Sequence, residues 1–179
     1  MYYIRMLSKP SALDKLANVS NIEELCADFL AQEMKTSSNT LSFWHSESLE
    51  KEPLDRAIIA ALLASNKIET TQFIIIDSDS LNANDIQVDD YEPGKTAYIG
   101  GENLHSNLCD LNYKKIGSIL QIYKSICMDE KLTPKIQKSQ VKEYIKDAKM
   151  KNLINEEKAQ DDLKPKLKKL LESVQSLAI

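Results

Sequence analysis

Apolar and polar positions follow two rhythms along this chain, and each change of rhythm marks an element. Tyr2, Tyr3, Ile4, Met6 and Leu7 form a short β-prone run closed by Pro10, which predicts an edge strand. Ser11 is placed to cap a short helix. Asn21 is placed to cap a longer one from Ile22 to about Met34, with Glu24 at the capping-box position. In that helix Ile22, Leu25, Cys26, Phe29 and Leu30 fall on one face. Thr40 to His45 reads as a strand. Pro53 then stands in the first turn of a helix reaching about Asn66, where its missing N–H costs nothing. This helix is apolar almost all round, so it is buried on more than one side. Thr70 to Ile76 is the next strand. Its Phe73-Ile74-Ile75-Ile76 run is continuous rather than alternating, as in sheets covered on both faces.

Strand, buried helix, strand is the pattern of a βαβ unit with parallel strands and a right-handed crossover. Thr96 to Ile99, closed by Gly100-Gly101, is a candidate third strand, and Leu111 to Met128 a helix with Ile116, Ile119, Leu120, Tyr123, Ile126 and Cys127 on one side. The expected fold is α/β: a small, mostly parallel sheet of three or four strands covered by helices, with a C-terminal helical extension. In that extension Ser139 is placed to cap a helix ending near Ile154, and a last helix runs from Glu156 to Leu177. Leu163, Leu167, Leu170, Val174 and Leu177 step by four and three, an a/d seam for docking on the body or for meeting a partner.

Charge divides the chain at the same place. Residues 1–130 hold 11 Lys+Arg against 20 Asp+Glu, a net of −9, whereas residues 131–179 hold 12 Lys against 7 acids, a net of +5. The predicted organisation is an acidic α/β body, 1–130, and a basic helical arm, 131–179. With 21 Lys against 2 Arg, the chain lacks the residue best suited to bidentate phosphate recognition. Three scattered cysteines, Cys26, Cys109 and Cys127, suit reduced structural thiols. The first residues, MYYIRMLSKPSAL, lack a charged leader with an apolar core, and the longest apolar run, residues 57–64, is too short to span a bilayer. These features predict a cytoplasmic protein without membrane contact.

The sharpest chemical pattern is Phe73-Ile74-Ile75-Ile76-Asp77-Ser78-Asp79-Ser80-Leu81. An apolar strand ending in Asp-x-Asp sets two carboxylates past a sheet edge, where open α/β folds bind ligands. Such a pair suits a shared Mg²⁺ or phosphoryl transfer. The string resembles the first motif of the haloacid dehalogenase-type phosphatases and the Asp-x-Asp strand end of Toprim nucleases and primases. Either resemblance implies Asp77 and Asp79 as catalytic, Mg²⁺-holding residues. It covers nine residues, and Ser80-Leu81 depart from the phosphatase pattern. The competing reading is that Asp77 to Ser80 turn the chain.

Other patterns carry less. Gly94-Lys95-Thr96 has Asp89 where a phosphate-binding loop needs its first glycine. His105 and Cys109 stand four apart, which on a helix would put them on one face, but two ligands make no zinc site. A Cys–His pair of Cys109 with His45 or His105 would require a tertiary contact. Lys135, Lys138, Lys142, Lys146 and Lys149 recur at three- and four-residue steps, a cationic stripe suited to phosphates but interleaved with Glu143 and Asp147. The reading favoured by the sequence is a small interaction or accessory protein without catalysis or cofactor of its own. Its partner is another protein or a second copy, met through the Leu163–Leu177 seam. A Mg²⁺-dependent phosphoryl-transfer enzyme or nuclease on Asp77 and Asp79 is the alternative. A nucleic-acid adaptor using the tail lysines is the third reading.

Overall fold

The computed structural model describes residues 1–65, 67–90, 93–155, 157–158 and 165–175. Its centre is a six-stranded sheet made of β1 (Tyr2–Met6), β2 (Leu41–Ser46), β3 (Thr71–Asp77), β4 (Gln87–Asp89), β5 (His105–Cys109) and β6 (Lys135–Ile136), in the order β4-β5-β2-β1-β3-β6. Every neighbouring pair is antiparallel. Seven α-helices are present among the described residues: α1 (Ala12–Asn18), α2 (Ala27–Glu33), α3 (Lys51–Ser65), α4 (Ser78–Ala83), α5 (Tyr113–Ile126), α6 (Lys138–Met150) and α7 (Pro165–Gln175).

This architecture corrects the expected small, mostly parallel sheet. The β2–α3–β3 unit exists, and β2 and β3 run the same way because each is antiparallel to β1. They are not neighbours. The N-terminal strand, expected at an edge, lies between them, with Ile4 opposite both Trp44 and Ile75. The continuous apolar run of β3 records burial on two faces, which an antiparallel sheet achieves equally well when helices cover both sides. Phe73 and Ile75 enter one core cluster, and Ile74 and Ile76 the other. The Thr96–Ile99 segment is not a sheet strand. Tyr98 forms an isolated bridge with Ile154, and Thr96 Oγ1 donates to Ala60 O at 2.9 Å. Gly94 lets this segment cross Trp44 and His105, since a Cβ there would lie 2.6 Å from each side chain.

One face of the sheet carries α3, α6 and α7; the other carries α1, α2, α4 and α5. α3 is buried from Ala57 to Leu63, as its all-round apolar pattern requires. The basic segment is built into the same layer. β6 pairs with β3, and Ile136, Val141, Ile145, Ala148 and Ile154 join the α3 core. Leu167 and Leu171 of α7, 1% and 8% exposed, enter that core as well. A polar tie reinforces the α3–α6 contact. Tyr144 donates to Asp55 at 2.8 Å, and Asp55 also pairs with Lys51. Burial, together with this bond and the Asp55 charge, pushes the Tyr144 hydroxyl up to about 12. On the opposite face the Lys124 ammonium donates to the carbonyls of Leu16, Ala17 and Val19, closing the C-terminus of α1. No helix among the described residues is long and apolar enough to cross a membrane.

Candidate functional site

The Asp-x-Asp string lies where the sequence places it, at the end of β3, but its first carboxylate is taken up in a helix cap. Asp77 is the N-cap of α4. Its Oδ1 accepts from the Ser80 N–H at 2.8 Å and its Oδ2 from the Ser80 hydroxyl at 2.8 Å. Partial burial raises the Asp77 carboxyl. The hydrogen bonds from Ser80 and from the N–H groups of Asp77 and Asp79 outweigh it and hold the group below its ordinary value. Asp79 sits in the first turn of α4 and is exposed. Among the described residues no three His, Cys, Asp or Glu side chains stand close enough to hold a metal ion.

Beside α4 a polar cleft of about 510 Å³ is lined by Tyr3, Ser78, Asn82, Asp85 and Asp90, among others. The His45 Nδ1 lies 2.7 Å from Ser106 Oγ and 3.8 Å from Oδ1 of Asp90, which lines the cleft. Serine and carboxylate therefore meet the same ring nitrogen, whereas a proton relay needs one on each side of the imidazole. Ser106 is 0% exposed, so its hydroxyl offers no approach to a substrate. Burial and the Asp90 charge raise the Tyr3 hydroxyl above its ordinary value. Cys109 is kept apart from both His105 and His45, because His105 and Cys109 stand at opposite ends of β5 and the register sets Trp44, next to His45, opposite His105. His105 lies edge-on to Trp44 at 5.3 Å, and Cys109 Sγ is 3.4 Å from Asn107 O.

On the other side of the sheet the tail lysines part company. Lys135 lies on the short edge strand β6, exposed, where a charged side chain blunts pairing with another chain. Lys138 and Lys142 stand one turn apart on α6 and are exposed; Lys146 and Lys149 are half-buried. The docking of α7 brings Lys169 opposite Lys138 and Lys142. Together with Ile68, Leu170 and Ser173 they line a groove of about 350 Å³. Ile68 and Leu170 are half-buried and pack on the core below, giving the groove an apolar floor. Among the described residues no carboxylate lies within ion-pair distance of Lys138, Lys142 or Lys169.

The leucine seam is thus divided. Leu167 faces the core and Leu170 the groove; Leu163, Leu177 and the Val174 side chain lie outside the described residues. The groove was not legible as a unit. Ile68 follows α3, Lys138 and Lys142 belong to the basic stripe, and Lys169 interrupts the leucines. Only the packing of α7 against α6 joins them. Comparison with protein-family models, with curated proteins and with solved structures finds no match for this chain.

Proposed function

We propose that this chain is a small cytoplasmic interaction or accessory protein, without catalysis or cofactor of its own, that meets another polypeptide through its basic C-terminal region. The observation that carries the reading is the α6–α7 groove, where three lysines surround the half-buried Ile68 and Leu170. An apolar floor with a charged rim is the composition of a protein-recognition surface, because the floor supplies affinity and the rim selects the partner. Like-charged ammonium groups that share one groove, with no carboxylate in ion-pair distance among the described residues, repel one another, and an incoming carboxylate relieves that repulsion.

The test is capture of a complex from the cells that produce the protein, with the full chain and with the variant K138E/K142E/K169E. The expected result is a stoichiometric protein partner, or a second copy of the chain, that is absent with the variant. The reading fails if no complex forms. It also fails if the chain hydrolyses a phosphate ester in a Mg²⁺-dependent way that Asp77→Ala abolishes.

A further inference from the structure

We propose that the occupant of the α6–α7 groove is an amphipathic helix of a partner protein, carrying acidic residues on both sides of a short apolar stripe. This inference rests on the interaction reading above and specifies the chemistry of the partner.

The geometry gives each part of that description. Lys138 and Lys142 are four residues apart on one helix, so their stems leave α6 about 6 Å apart along its axis. Two acids four residues apart on a facing helix present the same spacing. Lys169 stands on the α7 wall, where it would meet a third acid on the opposite flank of the bound helix. Between the walls, Ile68 and Leu170 leave partly exposed apolar surface that Leu or Met at i, i+3 and i+4 spacing would cover. Lysine stems can cover such a floor while their ammonium groups stay in water, and a ligand with both apolar surface and negative charge would satisfy both parts of the side chain. Lys138 also opens α6, so the positive end of the helix dipole adds to the positive potential at that end of the groove.

A nucleic-acid backbone fits this groove less well. No aromatic or arginine side chain is among the described lining residues, so nothing there stacks on a base or grips a phosphate in two places. An apolar floor between the cations gains nothing from a phosphodiester chain, whereas it is the main source of affinity for an apolar helix face.

The test uses three synthetic helical peptides of about five turns. The first carries a leucine stripe flanked by Glu. The second replaces Glu by Lys, and the third replaces Leu by Ser. Binding to the full-length protein is followed by fluorescence anisotropy, and the site is mapped by backbone amide shifts. The Glu–Leu peptide is expected to bind, to shift the amides of Lys138, Lys142, Lys169 and Leu170, and to weaken with salt. Both control peptides are expected to bind at least about tenfold more weakly. K138E/K142E/K169E should lose the Glu–Leu peptide and gain the Lys–Leu peptide; K138Q/K142Q/K169Q should lose the first without gaining the second. Equal binding of the acidic and basic peptides, shifts elsewhere on the protein, or displacement of the peptide by an oligodeoxythymidylate at the groove would overturn the proposal. A cellular partner that the charge-reversed variant still retains would overturn it while leaving the interaction reading intact. Absence of any partner would remove both.

Discussion

The end of β3 and the α6–α7 groove make opposite use of their charges. At the end of β3 the Asp77 carboxylate spends both oxygens on Ser80, and the motif that looks most like chemistry becomes the cap of a six-residue helix. In the groove three lysines that look like ordinary surface have no acid partner among the described residues and share an apolar floor. A charge therefore matters for recognition according to what the fold leaves unsatisfied. Lys124 makes the same point within one residue type. Its ammonium is consumed by three carbonyls of the α1 terminus and is unavailable to a ligand.

The strongest way to break the comparison is to remove the basic segment altogether. Truncation after Glu130 would delete the buried Ile136, Val141, Ile145, Ala148 and Ile154 from the α3 core. Each of the larger side chains contributes about 1.5–3 kcal/mol, and their sum reaches the stability of a typical domain. The truncated chain is expected to lose its cooperative urea transition. A sharp transition near that of the full chain would show that the groove is carried by a separable appendage.

A smaller effect separates structural lysines from groove lysines. Lys124→Met leaves three carbonyls at the end of α1 without their donor and should cost about 1–3 kcal/mol in urea unfolding. Lys169→Gln should change stability by no more than about 0.5 kcal/mol. Equal losses from the two substitutions would erase the distinction.

The cap gives the smallest of the three effects. Asp77→Ala should cost about 1 kcal/mol, and added Mg²⁺ should leave the urea midpoint of the unsubstituted chain unchanged. The Asp77 carboxyl is depressed in the folded protein, so its contribution is present above the ordinary carboxyl value of about 4 and is lost as pH falls through the folded value. The stability gap between the unsubstituted chain and Asp77→Ala is therefore expected to be constant at neutral pH and to shrink below about pH 4. A gap that widens in acid would assign Asp77 a different role.

Local signals specified the elements better than their arrangement. The apolar helix around Ala57–Leu63, the Phe73–Ile76 strand and the amphipathic α5 and α6 were all legible, because burial leaves a period in the residues themselves. Strand order was not. Whether β1 sits at an edge or between β2 and β3 depends on contacts more than 35 residues apart in sequence, and two-sided burial writes the same apolar run for either strand direction. β5 was hidden by its composition. His105-Ser106-Asn107-Leu108-Cys109 has no β-branched residue, and its buried polar groups find partners across the sheet, as where Ser42 Oγ donates to Asn107 Oδ1 at 3.1 Å. The cap role of Asp77 was not read from the sequence, which set a catalytic Asp-x-Asp against a simple turn at Asp77 to Ser80. An Asp that precedes a short polar stretch serves equally as a helix cap, and the bonds from Ser80 to both carboxylate oxygens are tertiary detail that the residue string does not carry. The groove had no sequence signal because its two walls lie about 30 residues apart and meet through Leu167 and Leu171.

The most direct test of the contrast between cap and groove is photo-crosslinking inside the producing cells, with a benzophenone side chain placed at Lys169 in one variant and at Asp79 in another. The account predicts a discrete protein adduct from position 169 that disappears when Lys138 and Lys142 are also changed to Glu, and no discrete adduct from position 79. An adduct from position 79 alone, or a position-169 adduct unaffected by those two substitutions, would contradict it.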